Sequence, residues 1–204
     1  MLLLHNMSMS GNCYKVRLTA RQLGIAITLE DYPVNGSKTR NPEFLAKNPN
    51  GRVPLLELED GECLAESNAI ISYLAEGSAL IPRDSWARAT MLQWMFFEQY
   101  SHEPYVAVAR FLLAWARPEV LKQRQDSIPE LQAKGNAALG VMEMHLAKRL
   151  WFAGDSYSLA DIALYGYTHV AHEGGFDLSG YPAVAAWLKR VVSEPNHIAL
   201  SQSW

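Results

Sequence analysis

Residues 1–32 read MLLLHNMSMSGNCYKVRLTARQLGIAITLEDY and hold two strand-like runs on either side of a helical stretch. Residues 1–5 favour a short buried strand, and apolar side chains recur at helical spacing from Gly11 to Leu23. Gly24 is typical of the residue that follows a helix end. Apolar and polar residues then alternate in part over residues 25–32, which indicates a second strand. This order predicts a βαβ unit with parallel strands and a right-handed crossover.

The next segment predicts a hairpin followed by a helix. Asn48-Pro49-Asn50-Gly51 is a strong turn signal, and it comes after a short helical stretch. Residues 53–58 and 62–65 form two strand-like runs joined by a tight turn. A helix is expected from Ser67 to Glu76, ending before Gly77. The first domain is therefore predicted to be α/β, with the element order βαβ and then ββα.

The sequence pattern changes after Gly77: strand-like runs end there, and no convincing strand follows. Helical spacing of apolar residues predicts helices over residues 85–101, 105–116, 118–150, 159–173 and 183–193. We therefore expect two domains, an α/β domain over residues 1–78 and an all-α domain over residues 86–204.

Composition and charge exclude several classes of protein. The chain has 204 residues, 49% of them apolar and 19% charged, which is typical of a globular protein. A formal net charge of -3 gives no strong basic field, so nucleic acid is not an expected partner. Its two cysteines, Cys13 and Cys63, form neither a disulfide framework nor a metal-type pair. No run approaches the roughly 20 apolar residues of a membrane span, and no signal-peptide pattern is present. A cytoplasmic protein without metal is the expectation.

The start of the first helix is a candidate site for an anionic sulfur. Free N–H groups at a helix start favour an anion, and a hydroxyl such as that of Ser10 can donate to a thiolate. Both effects lower the pKa of a thiol. The alternative is that Ser10 or Asn12 simply caps the helix. Cys13 also has two interpretations, a redox nucleophile near the helix start or an inert buried residue.

Two further segments could hold a peptide-like ligand. Val53 precedes Pro54, and a cis bond there would leave the backbone of Val53 free to pair with an extended peptide, although most such bonds are trans. Glu66 and Ser67 stand at the start of a helix, where an acid and free N–H groups suit the ammonium and carboxylate of an amino acid. The alternative is a plain helix cap with an acidic neighbour.

Three basic residues lie near these segments and could clamp a second carboxylate: Lys38, Arg40 and Arg52. Solvated loop charges are the alternative for each of them.

The order of these features resembles the glutathione S-transferase family. The resemblance is carried by SGNCYKVR (10–17), PEFLAKNPNGRVPLLE (42–57) and LAESNAIISYLAE (64–76), and it continues into the second domain at YSLADIALYGY (157–167). The last segment is similar to the helix-capping segment of that family, and Ser158 and Asp161 have the spacing of a capping box. The resemblance covers essentially the whole chain. It implies a thioredoxin-like first domain and an all-helical second domain.

The family resemblance also implies roles for individual residues. Ser10 matches the activating serine of the theta- and zeta-like classes, with Ser8, Asn12 and Cys13 as rivals for the sulfur. Val53, before the family's cis-proline Pro54, is expected to pair with the cysteinyl part of glutathione. Glu66 and Ser67 match the pair that holds the γ-glutamyl end. Arg52, with either Lys38 or Arg40, is expected to face the glycyl carboxylate.

The implied reaction is conjugation of the glutathione thiolate to small hydrophobic electrophiles, with glutathione as co-substrate and a homodimer as the assembly. The electrophile pocket is expected in the helical domain, with His102, Tyr105, Arg110 and Phe111 as candidates, although core and dimer contacts are the alternative for such residues. Two other functions remain open, a glutathione-dependent thiol–disulfide reductase using Cys13 and a non-catalytic glutathione-binding module.

Overall fold

The first part of the chain folds around a four-stranded mixed sheet in the computed structural model, which describes residues 1–34 and 38–202. The strands are β1 (Leu2–Asn6), β2 (Ile27–Asp31), β3 (Leu55–Glu57) and β4 (Cys63–Ala65), in the spatial order β2-β1-β3-β4. β1 and β2 are parallel, whereas β3 is antiparallel to both β1 and β4. The predicted βαβ unit and hairpin are therefore confirmed.

Three helices complete this part: α1 (Gly11–Leu23), α2 (Pro42–Lys47) and α3 (Ser67–Leu74). α1 begins where the Ser10 side chain accepts the N–H of Cys13. It ends at Leu23 and is capped by Gly24, whose φ of 67° is a value that glycine adopts without strain. The Gly24 N–H donates to the carbonyl oxygens of Ala20 and Arg21. α1 packs against α3. A predicted loop at residues 34–41 contains residues 35–37, which lie outside the described residues.

The rest of the chain is helical, as predicted. Its helices are α4 (Ser85–Phe97), α5 (Glu103–Arg110), α6 (Pro118–Arg124), α7 (Ile128–Leu146), α8 (Leu159–Thr168) and α9 (Pro182–Val192). Short 3₁₀ turns lie at Lys38–Arg40 in the first part and at Gln125–Ser127, Ala171–Gly174 and Leu178–Gly180 among these helices.

Two predicted helix boundaries in this region were wrong. The helix expected over residues 118–150 is divided by the turn at Gln125–Ser127, because Pro129 fits only in a first helical turn. The expected break after residue 101 is instead a π-helical segment, Glu98–His102, which leads directly into α5. A second π-helical segment, Phe111–Trp115, follows α5. Apolar spacing alone does not reveal such insertions.

The contacts within the chain define two compact units. The first is Met1–Ser78 together with the segment that begins at Pro195, and the second is Ala79–Glu194. The sequence predicts a helical domain over residues 86–204, whereas the contacts group the segment that begins at Pro195 with the sheet. Residues 203 and 204 lie outside the described residues.

A capping box at the start of α8 anchors the core of the helical unit. Asp161 is fully buried and accepts hydrogen bonds from the Ser158 N–H and hydroxyl, each at 3.0 Å. It also accepts from Phe152 N and from the indole of Trp187, at 3.3 and 3.0 Å. The predicted capping box is therefore confirmed, and its acid joins α8 to α9 as well.

Candidate functional site

The predicted glutathione-site segments of the first unit converge at one end of the sheet. His5, near the end of β1, is paired with Leu55 at the start of β3, and Leu55 is paired with Ala65 at the end of β4. The loop that follows β1, the Val53–Pro54 bond before β3 and the Glu66–Ser67 pair after β4 consequently share this end. The Val53–Pro54 bond is cis.

Ser10 caps α1 in a geometry that suits a thiolate. Its Oγ accepts the N–H of Cys13 at 3.2 Å, and its own N–H donates to Met7 O at 2.9 Å. The hydroxyl lies beside the positive end of the helix dipole, where it also hydrogen-bonds to the thiol of Cys13. Ser10 is half-buried, whereas Ser8 is exposed.

Cys13 is the third residue of α1 and has no exposed surface. Its Sγ accepts the N–H of Met7 at 3.3 Å. Burial raises the pKa of the Cys13 thiol to about 11, although hydrogen bonds from Ser10 and Met7 and the charge of Arg17 act in the opposite direction. The structure thus favours the inert interpretation of Cys13, because a nucleophilic cysteine needs both exposure and thiolate character.

Asn12 connects the beginnings of two helices. The Ser67 hydroxyl donates to Asn12 Oδ1 at 3.2 Å, and Ser67 is 5% exposed at the first position of α3. The side chain of Asn12 is therefore engaged with α3, which separates its role from that of Ser10.

Glu66 has a strained backbone conformation. Its φ is 69°, in the region that favours glycine, and its side chain makes no capping hydrogen bond to α3. Such a conformation costs on the order of 1–3 kcal/mol in a non-glycine residue and is concentrated at functional sites. The side chain of Glu66 is exposed, so its carboxylate is accessible to a ligand.

The loop before Val53 is braced by buried Asn48. Asn48 Nδ2 donates to Arg52 O at 2.8 Å, and Asn50 N donates to Asn48 Oδ1 at 3.1 Å. Among the described residues, the backbone of Val53 has no hydrogen-bond partner. An extended peptide could therefore pair with Val53.

The three basic side chains considered for the glycyl carboxylate lie in different surroundings. Arg40 donates to Asn50 O at 3.1 Å, and a Cβ on Gly51 would lie 2.6 Å from Arg40 Nη1. Arg40 thus lies directly beside the loop that leads to Val53. Lys38 instead lines a separate cavity of about 270 Å³ that includes His5 and Tyr32. Arg52 is exposed.

The four electrophile candidates of the helical unit divide into two pairs. His102 has no exposed surface, and its Nε2 is 3.0 Å from the Thr168 hydroxyl. Arg110 is 4% exposed and its Nε donates to Glu173 at 2.9 Å. Both therefore lie in the packed interior, which does not fit the expected contact with a substrate. Tyr105, half-buried with Lys134 Nζ 5.3 Å from its ring centre, and Phe111, 38% exposed, remain candidates.

Two residues that organise this region have no role predicted from the sequence. Asn48 was recognised only as part of a turn signal, yet its side chain fixes the loop before Val53. Arg17 belongs to the quoted motif at residues 10–17, and its guanidinium donates to Ser8 O at 2.6 Å. The only sequence signal for such a role of Arg17 is a charged residue at a buried position of an amphipathic helix.

Residues 1–34 and 38–202 contain neither a metal-binding cluster nor a membrane-spanning helix. No group of three His, Cys, Asp or Glu side chains there could hold a metal ion. No helix in the same ranges is long and apolar enough to cross a membrane.

Comparisons with known proteins identify relatives over nearly the whole chain. Residues 4–80 match the family model for the glutathione S-transferase N-terminal domain, and residues 87–195 match the model for the C-terminal domain. The crystal structure of a glutathione S-transferase from Pseudomonas fluorescens is 48% identical in sequence, with a TM-score of 0.94. The alignment covers 98% of this chain and 99% of that one.

Two curated relatives carry different names. A glutathione S-transferase-like protein of Fusarium sp is 30% identical, covering 93% of this chain and 87% of its own. The disulfide-bond oxidoreductase YfcG of Escherichia coli is 28% identical, covering 90% and 87%. Ure2p in complex with glutathione, a further solved structure, shares the fold with a TM-score of 0.85 at 24% identity, covering 96% of this chain and 95% of that one.

Proposed function

Since the chain belongs to the glutathione S-transferase family, we propose that it binds glutathione at the sheet end of its first unit and conjugates the thiolate to small hydrophobic electrophiles. The observation that carries this proposal is the convergence of Ser10, the Val53–Pro54 bond and the Glu66–Ser67 pair at one end of the sheet. These groups suit, in turn, the thiolate, the peptide backbone and the amino-acid end of an extended tripeptide.

The γ-glutamyl end of glutathione would bind at the start of α3. The exposed carboxylate of Glu66 would pair with the ammonium group, and the first N–H groups of α3 would bind the carboxylate. The Ser67 hydroxyl would join them by turning away from Asn12 Oδ1, to which it donates in the structure. The positive φ of Glu66 supports this role, because a residue whose only task was local folding would be better replaced by glycine.

Replacing Glu66 by glycine is expected to raise stability while weakening glutathione binding. Glycine adopts a φ of 69° without strain, so the free energy of unfolding should rise by up to about 1 kcal/mol. Loss of the ion pair should raise the Kd for glutathione by about 10-fold or more. Denaturant unfolding and calorimetry measure the two effects. Glu66→Gln is the matched control, since it keeps the strain and removes only the charge. A destabilised glycine variant would contradict the assignment of strain.

The glycyl carboxylate would face Arg40 rather than Lys38. Arg40 lies beside the Gly51 backbone that leads to Val53, whereas Lys38 borders the cavity with His5 and Tyr32. Arg52 is exposed near the same loop and can add to the positive field there.

Arg40→Ala is accordingly expected to raise the KM for glutathione by about 10-fold, because a charge-assisted hydrogen bond contributes about 1.5–3 kcal/mol. Lys38→Ala, on the same 3₁₀ turn, should leave the KM within about 2-fold. Steady-state kinetics with varied glutathione distinguishes the two. The reverse order of effects would assign the carboxylate to Lys38.

A thiol–disulfide reductase is the second candidate function, because one relative is named a disulfide-bond oxidoreductase. The buried thiol of Cys13 does not favour a nucleophilic role in it, because a pKa raised to about 11 keeps the thiol protonated at neutral pH. If reduction occurs, the thiolate of glutathione itself is the better nucleophile.

Cys13→Ser is therefore expected to keep both conjugation and any reductase activity within about 3-fold, since serine retains an acceptor for the Met7 N–H. Paired assays with an aryl halide and a mixed disulfide test this expectation. Selective loss of the disulfide activity would restore Cys13 as the nucleophile. In native protein, a thiol reagent should modify half-buried Cys63 before buried Cys13.

The remaining partners follow the family. A homodimer is proposed. Three exposed aromatic side chains are proposed to lie at its interface, Trp86, Phe96 and Tyr100, which are 80%, 71% and 85% exposed. Tyr105 and Phe111 are proposed to contact the electrophile. A cytoplasmic location stays a prediction.

Calorimetry with glutathione followed by an activity panel tests the proposed function. Binding and turnover of aryl halides or epoxides would support conjugation, whereas turnover of mixed disulfides alone would favour the reductase. Binding without any turnover would favour a non-catalytic module, and no binding would contradict all three.

A further inference from the structure

The buried side chain of Arg17 joins two parts of the first unit that are far apart in sequence. Arg17 is 2% exposed. Its Nη2 donates to Ser8 O at 2.6 Å and to Leu200 O at 3.2 Å, and its Nη1 donates to Gln202 O at 3.4 Å. One guanidinium thus contacts both the loop that carries Ser10 and the C-terminal segment.

A second residue of α1 holds the same C-terminal segment. The hydroxyl of Tyr14, one turn before Arg17, donates to Ile198 O at 2.6 Å and lies 3.2 Å from His197 Nε2. Tyr14 is fully buried. Residues 197–202 are therefore held against α1 at two successive turns, and the side chain of Arg17 in addition contacts Ser8 O in the loop after β1.

The loop after β1 lacks close packing on one side. A cavity of about 650 Å³ is bordered by Ser8, Met9 and Arg17 and by residues 200–202. Close-packed side chains normally fix the position of a loop. Because the cavity borders Ser8 and Met9, the bond from Arg17 to Ser8 O supplies a constraint that packing does not supply there. The turn bond from Ser10 N to Met7 O connects this constraint to Ser10.

The charge of Arg17 is balanced in part by the carboxylate of Asp31, which borders the same cavity and favours the charged guanidinium. Its three hydrogen bonds all go to neutral carbonyl groups, and no ion pair of Arg17 is found within residues 1–34 and 38–202. The positive charge lowers the pKa of the neighbouring Cys13 thiol. Asp31 acts on that thiol in the opposite direction, so a negative sulfur bound by Ser10 would experience the balance of the two charges.

We propose that Arg17 is a positioning residue for the thiol site: its guanidinium holds the Ser8–Ser10 turn against residues 198–202, so that the C-terminal segment helps to set the position of the Ser10 hydroxyl. This inference rests on the proposed binding of glutathione thiolate at Ser10. It adds a role for a segment that follows the last helix, α9.

The test compares full-length variants of three residues on α1. Arg17→Met removes the charge and all three hydrogen bonds, Arg17→Lys keeps the charge, and Tyr14→Phe loosens the segment without a change at Ser8. Arg21→Met is the matched control, since Arg21 is exposed on the same helix. Two measurements are made on each: amide hydrogen exchange of residues 7–11 without glutathione, and the pKa of the thiol of bound glutathione.

Arg17→Met is expected to accelerate exchange in residues 7–11 by about 10-fold and to raise the pKa of the bound thiol by about one unit, which lowers kcat/KM about 10-fold below that pKa and little above it. Arg17→Lys should recover part of both effects. Tyr14→Phe should accelerate exchange in residues 198–202 and raise the thiol pKa by a smaller amount. Arg21→Met should change neither.

A folded Arg17→Met variant with wild-type exchange and an unchanged thiol pKa would overturn the inference. If that variant does not fold, unchanged values in both Arg17→Lys and Tyr14→Phe would overturn it equally. The exchange measurement needs no ligand, so it separates this inference from the proposed function: a wild-type protein that does not lower the thiol pKa refutes the function, whereas unaltered exchange refutes the positioning.

Discussion

Ser10→Ala is expected to lower kcat/KM for conjugation about 10- to 100-fold, because a hydrogen bond to a charged group contributes about 1.5–3 kcal/mol. The Kd for glutathione should stay within about 3-fold, since Glu66, Val53 and Arg40 would hold the rest of the tripeptide. The hydroxyl also caps α1 through the Cys13 N–H, so the variant should lose about 1 kcal/mol of stability. Kinetics over a pH series and denaturant unfolding measure these effects.

Two variants serve as controls for Ser10. Ser10→Thr keeps a hydroxyl that can both cap the helix and donate, so it should retain most of the activity. Ser8→Ala removes an exposed hydroxyl and leaves the carbonyl that Arg17 contacts, so it should behave as wild type. Full activity in Ser10→Ala together with a loss in Ser8→Ala would assign the thiolate to Ser8.

Asp161→Ala is expected to lower the free energy of unfolding by about 3–5 kcal/mol, the largest stability effect of any single substitution considered. The change leaves the Ser158 N–H and hydroxyl, the Phe152 N–H and the Trp187 indole without their shared acceptor. Each buried donor left unpaired costs about 1–3 kcal/mol. Asp155→Ala, at a side chain that is 98% exposed, should change stability by less than about 0.5 kcal/mol.

The pH dependence of stability provides a second signature of Asp161. Burial raises the pKa of this carboxyl from 3.8 to about 7, against the opposing effect of its four hydrogen bonds. Because the pKa of Asp161 is higher in the folded than in the unfolded state, protonation of this carboxyl stabilises the native state. This stabilisation is complete below pH 3.8 and is lost as the pH rises to about 7. The unfolding free energy of Asp161→Ala should lack this decline. If the free energy of unfolding declined with pH equally in the wild type and in Asp161→Ala, the assignment of this decline to Asp161 would be wrong.

Local sequence signals were sufficient for most elements of the first unit. Ser10 and Gly24 define the two ends of α1 in both the sequence and the structure, because each supplies a capping geometry that few other residues provide as well. The order of strands followed from the spacing of apolar runs and turns. The four-stranded topology and the cis geometry of Val53–Pro54 depended on the family resemblance, since no local signal distinguishes a cis bond from the more common trans bond.

Some parts of the candidate site were predictable from the sequence and others were not. Convergence of Ser10, Val53 and Glu66 follows once the sheet is known, because all three flank paired strand ends. The choice between Arg40 and Lys38 was not available from sequence, since both lie on one short turn and only their three-dimensional contacts differ. Glu66 offered no sign of strain in the sequence, because a positive φ is a consequence of how β4 enters α3.

Burial in the helical unit was the least predictable feature. His102 and Arg110 are polar residues on a helix with aromatic neighbours, and such a pattern fits a pocket wall or a hydrogen-bonded interior equally well. The structure pairs them with Thr168 and Glu173, which are more than 60 residues away in sequence. The π-helical segments on either side of α5 shift the helical phase and further separate exposed positions from predicted ones.

The most direct test of the central claim is the pH titration of the glutathione thiol bound to the protein, followed by the ultraviolet absorbance of the thiolate. Binding at Ser10 and the start of α1 predicts a bound thiol that titrates at least about one unit below free glutathione, whose thiol resembles the cysteine reference of about 8.5. Ser10→Ala should raise the pKa of the bound thiol most of the way back to that of free glutathione. A bound thiol with the pKa of free glutathione would contradict the claim that this site activates the thiolate.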